Sequence, residues 1–197
     1  MFSGRFVQLE PLEAHHAKSI AVAGGIDRST YEWIDVPATL LEAQQIVSAY
    51  QAQPHPQPWI AFVQRRSKDS TVIGMTNFLS VERWDGPDAN PTSVEIGNTW
   101  LNPQALHSPI DTESKLLLMT HAFETWNVVR VQIRTDARND RSRRALIRIG
   151  AQFEGVLRNA QPGRGDLGRG APRDSAVFSV LPNEWPTVKA SMTARLG

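Results

Sequence analysis

At 197 residues, the chain suits one domain with a core that stands without staples, and it is too short for several. Cysteine is absent, which excludes disulfides, thiolate metal sites and a cysteine nucleophile. The formal charge of +1 argues against a general affinity for polyanions, and neither a signal-peptide pattern nor an apolar run of membrane-span length occurs, so a cytoplasmic protein is expected.

In chain order the pattern is a continuous α/β alternation over residues 1–197, with no internal repeat and no linker. Residues 5–10 read as a first strand, and Pro11, Leu12 and Glu13 lead into a helix ending near Gly24 and Gly25, with His15 and His16 as solvated residues. A second helix is predicted over Leu40–Gln51, with Leu41, Ile46, Val47 and Tyr50 on its buried side and Pro54, Pro56 and Pro58 stopping it. Residues 59–63 and 72–79 read as strands joined by a turn at 66–70, which makes a hairpin. After the Pro/Asp/Gly/Asn-rich loop 85–91, residues 93–101 form a further strand. A helix follows over 112–126, with Leu116, Leu117, Ala122 and Phe123 suited to burial and His121 as a core residue.

Residues 130–150 carry the strongest local signal, a strand running directly into a short helix. Val131, Ile133 and Thr135 alternate with polar neighbours, Asn139 or Asp140 caps the helix, Ala145, Leu146 and Ile149 form its apolar stripe, and Gly150 stands where helices end. Asn139 and Ser142 then share the first turn, beside free amides and the positive dipole end that favour carbonyls, phosphates and thiolates. The plainer reading is an N-capped helix with a solvated arginine face. The chain closes with a strand at 152–158, a Gly/Arg-rich excursion at 161–171, a strand at 175–181 and a short helix after Pro182. Six arginines lie between Arg134 and Arg148, yet no aromatics interleave with them for base stacking, so nucleic-acid binding is not expected.

The string from Asn139 through Ser142 to Gly150 and Ala151 resembles the Asn-x-x-Ser segment, closed by Gly-[Ala/Phe], of the GCN5-related N-acetyltransferases (GNAT). It is similar in particular to the branch holding the ribosomal-protein N-terminal acetyltransferases of RimJ/RimL type. The order of elements resembles that superfamily over nearly the whole chain. The resemblance implies an α/β (α+β) fold with a mixed, mostly antiparallel sheet, flanking helices, and two parallel strands, 94–101 and 131–137, that splay apart to hold acetyl-CoA. It implies cofactor contacts from Trp100 and Leu101, from Asn139 and Ser142 beside the pantetheine arm, and from a pyrophosphate loop comprising His107, Ser108, Ile110, Asp111 and Thr112. In that loop Thr112, Glu113 and Ser114 fit the branch well. His107 and Pro109 stand where the family has glycines, and Pro109 has no amide hydrogen to give a phosphate. The amides of Ser108 and of Ile110, Asp111 and Thr112 remain as an anion nest.

The chemistry implied is direct attack of a primary amine on the thioester, which needs a base for the ammonium, a donor for the oxyanion and a proton for the leaving thiolate. Glu95 is the first base, the alternative being an outward, solvated strand carboxylate; Asp136 is the runner-up, or else a partner for nearby arginines. Ser142 is the acid, because Phe178 stands where the branch has tyrosine. Tyr31, Trp33 and Trp84 are expected to shape the acceptor pocket, the alternative being loop packing. Histidines and carboxylates show no metal-ligand spacing, so no metal is expected. The implied function is N-acetylation of a protein N-terminus or a small amine by a possible homodimer. Two other readings stand beside it: a non-catalytic acyl-CoA-binding protein on the same fold, and a basic module using Arg138 to Arg148 and the arginines of 164–173.

Overall fold

The computed structural model describes residues 1–54 and 57–197, so Pro56 of the predicted helix stop lies outside the described residues. Eight strands form one sheet: β1 (Phe2–Ser3), β2 (Val7–Pro11), β3 (Ile60–Arg66), β4 (Val72–Glu82), β5 (Ser93–Leu101), β6 (Arg130–Asp136), β7 (Gln152–Pro162) and β8 (Pro172–Val180). Their spatial order is β1-β2-β3-β4-β5-β6-β8-β7. Every neighbouring pair is antiparallel except β5 and β6, the mixed sheet that the resemblance implies.

The helices are α1 (Ala17–Gly25), α2 (Leu40–Gln51), α3 (Ile110–Glu124), α4 (Asp140–Ile149), α5 (Gly165–Gly168) and α6 (Trp185–Ala194). Alternation along the strands supplies two cores, one per face. Ile20, Ala43 and Val47 of α1 and α2 pack with Val63, Met75 and Trp100. Leu118, Met119, Leu146, Ile149, Val188 and Met192 of α3, α4 and α6 pack with Leu9, Phe62, Ile96 and Val131 on the other face.

Strand β6 follows the predicted period, with Val131, Ile133 and Thr135 buried. Gly150 ends α4 at φ 95°, a left-handed conformation in which a side chain is strained. Among the described residues, no helix is long and apolar enough to cross a membrane.

Four packing expectations are corrected. Ile46, Val47 and Tyr50 lie on the packed side of α2 as expected, but Leu41 is 65% exposed and Ala43 continues the stripe, because Leu41 stands about 200° round the helix from Ala43. In α3 the fully buried leucine is Leu118, while Leu116 and Leu117 are half-buried. His16 is buried rather than solvated: its Nδ1 accepts from the Glu13 amide at 2.9 Å, closing a capping box. His121 is half-buried at the core's edge, against Phe2 and Trp126.

The feature that makes a site is the short pairing of β5 with β6. Their register includes Ser93 with Arg130, Val94 with Val131 and Glu95 with Gln132, and stops there. Beyond Glu95, β5 stays with β4 out to Leu101, while β6 stays with β8 out to Asp136 and Ser175. The two parallel strands therefore part, and a cleft of about 970 Å³ opens between them.

Candidate active site

Glu95 occupies the last parallel rung, where the strands begin to separate. It is buried and lines the cleft. Its Oε2 accepts from Arg134 Nε at 2.7 Å, so this carboxylate is not the outward, solvated one of the plainer reading. The other oxygen, Oε1, lies beside Gly97, where a side chain would crowd it: an added Cβ would stand 3.2 Å away. Just past Glu95, two residues of β5, Asn98 and Thr99, oppose one of β4, Thr76, since Gly97 faces Asn77 and Trp100 faces Met75. Asn98 takes φ 46° in this bulge. The Asn77 amide nitrogen donates to the carbonyls of Gly97 and Asn98 at 3.0 and 3.2 Å, which holds the bulge; Asn77 lines the cleft, and its buried Oδ1 has no protein partner.

Asp136, the alternative base, is engaged otherwise. Arg138 grips it through Nε and a terminal nitrogen, each at 2.9 Å, and through its own amide at 3.0 Å. Burial pushes its carboxyl up, but those hydrogen bonds and the charges of Arg138 and Arg173 outweigh burial and hold it below the usual carboxylate range. Arg138 in turn lies over the Trp33 ring, 4.8 Å from its centroid.

On the β6 side Asn139 is the N-cap of α4, its Oδ1 accepting from the Ser142 amide at 3.0 Å. Both residues line the cleft. Among the described residues the Ser142 hydroxyl makes no hydrogen bond back into its own helix, so it is free to meet a ligand. Phe178 is fully buried in the core against Phe153 and does not line the cleft.

At the far end of β5 the chain passes through a short helical turn at Pro103–Ala105 into α3. His107 adopts φ 57°, the conformation that glycine takes without cost, which gives a physical reason for a glycine preference there. Pro109 is the N-cap of α3 at φ −63°, so its missing amide hydrogen falls before the first helical turn. The Ile110 amide leans on the Ser108 hydroxyl at 3.4 Å, and the next two amides, of Asp111 and Thr112, begin a helix and have no carbonyl one turn back to donate to. Ile110 itself is core. Glu113 fixes this end of α3 by accepting the amides of Arg5, Phe6 and Val7 at 2.6–2.8 Å. His107, Ser108, Asp111, Thr112 and Lys115 line the cleft, and Lys115 pairs with Asp111 one turn earlier.

The opposite wall comes from residues 30–37 and the Gly/Arg-rich excursion, which dock on each other. The Leu167 amide donates to the Glu32 carbonyl at 2.9 Å, and Arg169 pairs with Asp35 at 2.7 Å. Gly165 makes this approach possible, since a Cβ there would stand 2.5 Å from the Glu32 carbonyl oxygen. Tyr31 is buried with its hydroxyl unpartnered, and burial raises that hydroxyl to about 12, so it stays a neutral donor.

Of the residues singled out from sequence, Tyr31, Trp33, Glu95, Trp100, Leu101, His107, Ser108, Asp111, Thr112, Asn139 and Ser142 converge on this cleft. Ile110 and Trp84 do not line it. Trp84 is 67% exposed, bonded to Glu82, in the β4–β5 loop at the end of β5 away from the splay. Arg134, Arg173, Lys115 and Asn77 do line it without having been singled out from sequence. Asn77 carried one local signal, a polar residue inside the apolar run 72–79; Arg134 and Arg173 acquire their place only through strand pairing.

A cluster not expected from spacing joins Glu10, His15 and His16, whose ligand-type atoms lie within 4.8 Å of one another. Because His16 Nδ1 accepts a backbone proton, a neutral ring carries its own on Nε2, facing Glu10 at 3.3 Å, and Arg65 already bonds that carboxylate at 2.5 Å. These donors form a polar contact network rather than an open ligand set.

A family model described as an acetyltransferase (GNAT) domain matches residues 7–152. The chain belongs to the GNAT acetyltransferase family. Among solved structures it is similar to a GCN5-related N-acetyltransferase from Brucella melitensis, with 29% identity over 100% of this chain and 85% of that one and a TM-score of 0.85. The GNAT fold is also shared with Mycobacterium smegmatis RimJ in complex with CoA-disulfide, at 20% identity, 96% and 88% coverage and a TM-score of 0.76. A ribosomal-protein-S5-alanine acetyltransferase from Vibrio fischeri shares it at 17% identity, 93% and 97% coverage and a TM-score of 0.72. No curated protein matches the chain.

Proposed function

We propose that the protein transfers the acetyl group of acetyl-CoA to a primary amine by direct attack within the splayed cleft. The observation that carries the reading is the convergence there of a strand carboxylate, a helix-capped serine with a free hydroxyl and a helix N-terminus with undonated amides. The residues fit the cosubstrate: the Asp111 and Thr112 amides and Lys115 offer donors to a pyrophosphate, and Asn139 and Ser142 flank the path between the strands. When bound, acetyl-CoA supplies the activated acyl group and a thiolate leaving group.

The chain's own residues do the rest. Glu95 accepts the ammonium proton, through Oε1 or an intervening water, while Arg134 holds Oε2 and so fixes the carboxylate's orientation. The unpartnered Asn77 Oδ1 accepts an amine N–H at the bulge. The Tyr31 hydroxyl donates where oxyanion charge develops, and the Ser142 hydroxyl protonates the thiolate. Trp33 and Tyr31 shape the acceptor wall. The acceptor class carried over from the branch resemblance is a protein N-terminus, with a small amine as the other choice.

A homodimer belongs to the same proposal. Strand β7 is the sheet's edge and leaves Phe153, Val156 and Leu157 about half exposed, a face that a second copy would cover. The non-catalytic reading is favoured by one observation, that Glu95 already sits in an ion pair.

Calorimetric titration of acetyl-CoA, CoA and dephospho-CoA tests the cosubstrate. Micromolar binding of acetyl-CoA and CoA is expected, and absence of binding near millimolar would contradict it.

A further inference from the structure

The charges at the acyl end of the cleft do not balance. Glu95 is matched by Arg134 and Asp136 by Arg138. Arg164 and Arg173 also line this region, and neither has a carboxylate within ion-pair distance among the described residues. Arg173 is half-buried, anchored by Nε on the Ser175 hydroxyl at 3.1 Å, which leaves its terminal nitrogens unbonded. Arg164 reaches the bulge, donating to Asn98 Oδ1 at 2.9 Å. Burial disfavours the Arg173 cation, and so do Arg164 and Arg134, with Asp136 and Glu95 opposing them in part.

Two guanidiniums, the half-buried one of Arg173 and the exposed one of Arg164, repel each other unless an anion arrives, and an arginine fork matches a carboxylate with two parallel hydrogen bonds. The phosphates of a CoA are not that anion. Asn98 marks the bulge, whereas the amides suited to a pyrophosphate begin beyond the end of β5, about 10 Å further along the strand alone at the usual rise per residue. Resting on the transferase reading, we infer that Arg173, assisted by Arg164, binds a carboxylate carried next to the reacting centre. The protein is thus selective for an acceptor amine that bears a nearby carboxylate, or for an acyl group that ends in one.

The test compares kcat/KM for β-alanine and β-alaninamide with acetyl-CoA, and for β-alaninamide with succinyl-CoA and acetyl-CoA. A carboxylate on the acceptor or on the acyl chain, whichever is the source, should raise kcat/KM by roughly tenfold or more, the scale of a charge-assisted bidentate contact. In Arg173→Gln that ratio should fall toward one, with acetyl-CoA affinity by titration holding at the wild-type value. Equal kcat/KM for charged and uncharged partners would overturn the inference while leaving acetyl transfer intact. Loss of acetyl-CoA affinity in Arg173→Gln would also overturn it, by assigning the arginine to the cosubstrate.

If no amine is acetylated, the failure falls on the transferase reading. The anion site is then decided by titrating N-acetyl-β-alanine and its amide into the protein with CoA present. Tighter binding of the acid, lost in Arg173→Gln, supports the site, and equal binding overturns it.

Discussion

The two ends of the cleft present polar groups by different means. At the α3 end the donors are mostly backbone amides, exposed because a helix begins there. At the β5–β6 fork the polar groups are side chains, Glu95, Arg134, Asn77 and Arg173, each placed by a strand and held by a named neighbour. The contrast explains why the loop accepts His107 and Pro109 where glycine is the family's habit. A site made of backbone needs a conformation and free N–H groups, and His107 at φ 57° with Pro109 just ahead of the helix supplies both. A site made of side chains has no such tolerance, so substitutions at the fork should cost far more than substitutions in the loop.

Glu95→Gln is the strongest way to break that comparison. It should lower kcat by about a hundredfold, the scale of losing a general base, and move the rate's rise with pH toward the ionisation of the free amine. A wild-type pH profile would remove Glu95 from the reaction. Ser142→Ala follows, with a loss of about tenfold expected in kcat and an unchanged melting temperature, because its free hydroxyl supports nothing in the fold. Asn139→Ala should add a stability cost to a similar loss of activity: removing the cap costs about 1 kcal/mol, read as a fall in Tm of about 2–4 °C for a chain of this size.

Asp136 sharpens the picture through pH. Its folded carboxyl lies below the unfolded value, so its contribution to stability is present above the ordinary aspartate range and is lost as pH falls through the lower folded value. Asp136→Asn should flatten that acid-side fall in Tm, and an unaltered curve would deny the Arg138 clamp. The smallest effect belongs to His107→Gly. Relief of the left-handed backbone and the added chain entropy of glycine oppose each other, so stability should change by less than about 1 kcal/mol and acetyl-CoA affinity by less than about threefold.

The same division governs how much was legible in the sequence. Helix α2 and strand β5 run over the residues that periodicity predicts, and the cap at Asn139 and the stop at Gly150 are local chemistry that twelve residues suffice to encode. What escaped depends on distant partners. Glu95 reads as a base in the strand, but its ion pair with Arg134 exists only because β5 and β6 lie side by side. The cleft wall opposite α3 needs residues 163–169 to dock on 32–35, about 130 residues earlier, which no local pattern announces. Trp84 escaped for the same reason, left exposed at the sheet's far end.

The most direct test of the account is release of CoA thiol when wild-type protein meets acetyl-CoA and a panel of primary amines, with the acetylated product identified by mass. The account predicts release that depends on an amine and falls about a hundredfold in Glu95→Gln. Tight acetyl-CoA binding with no amine-dependent thiol release across the panel would contradict it, and would leave a cleft that holds an acyl-CoA without using it.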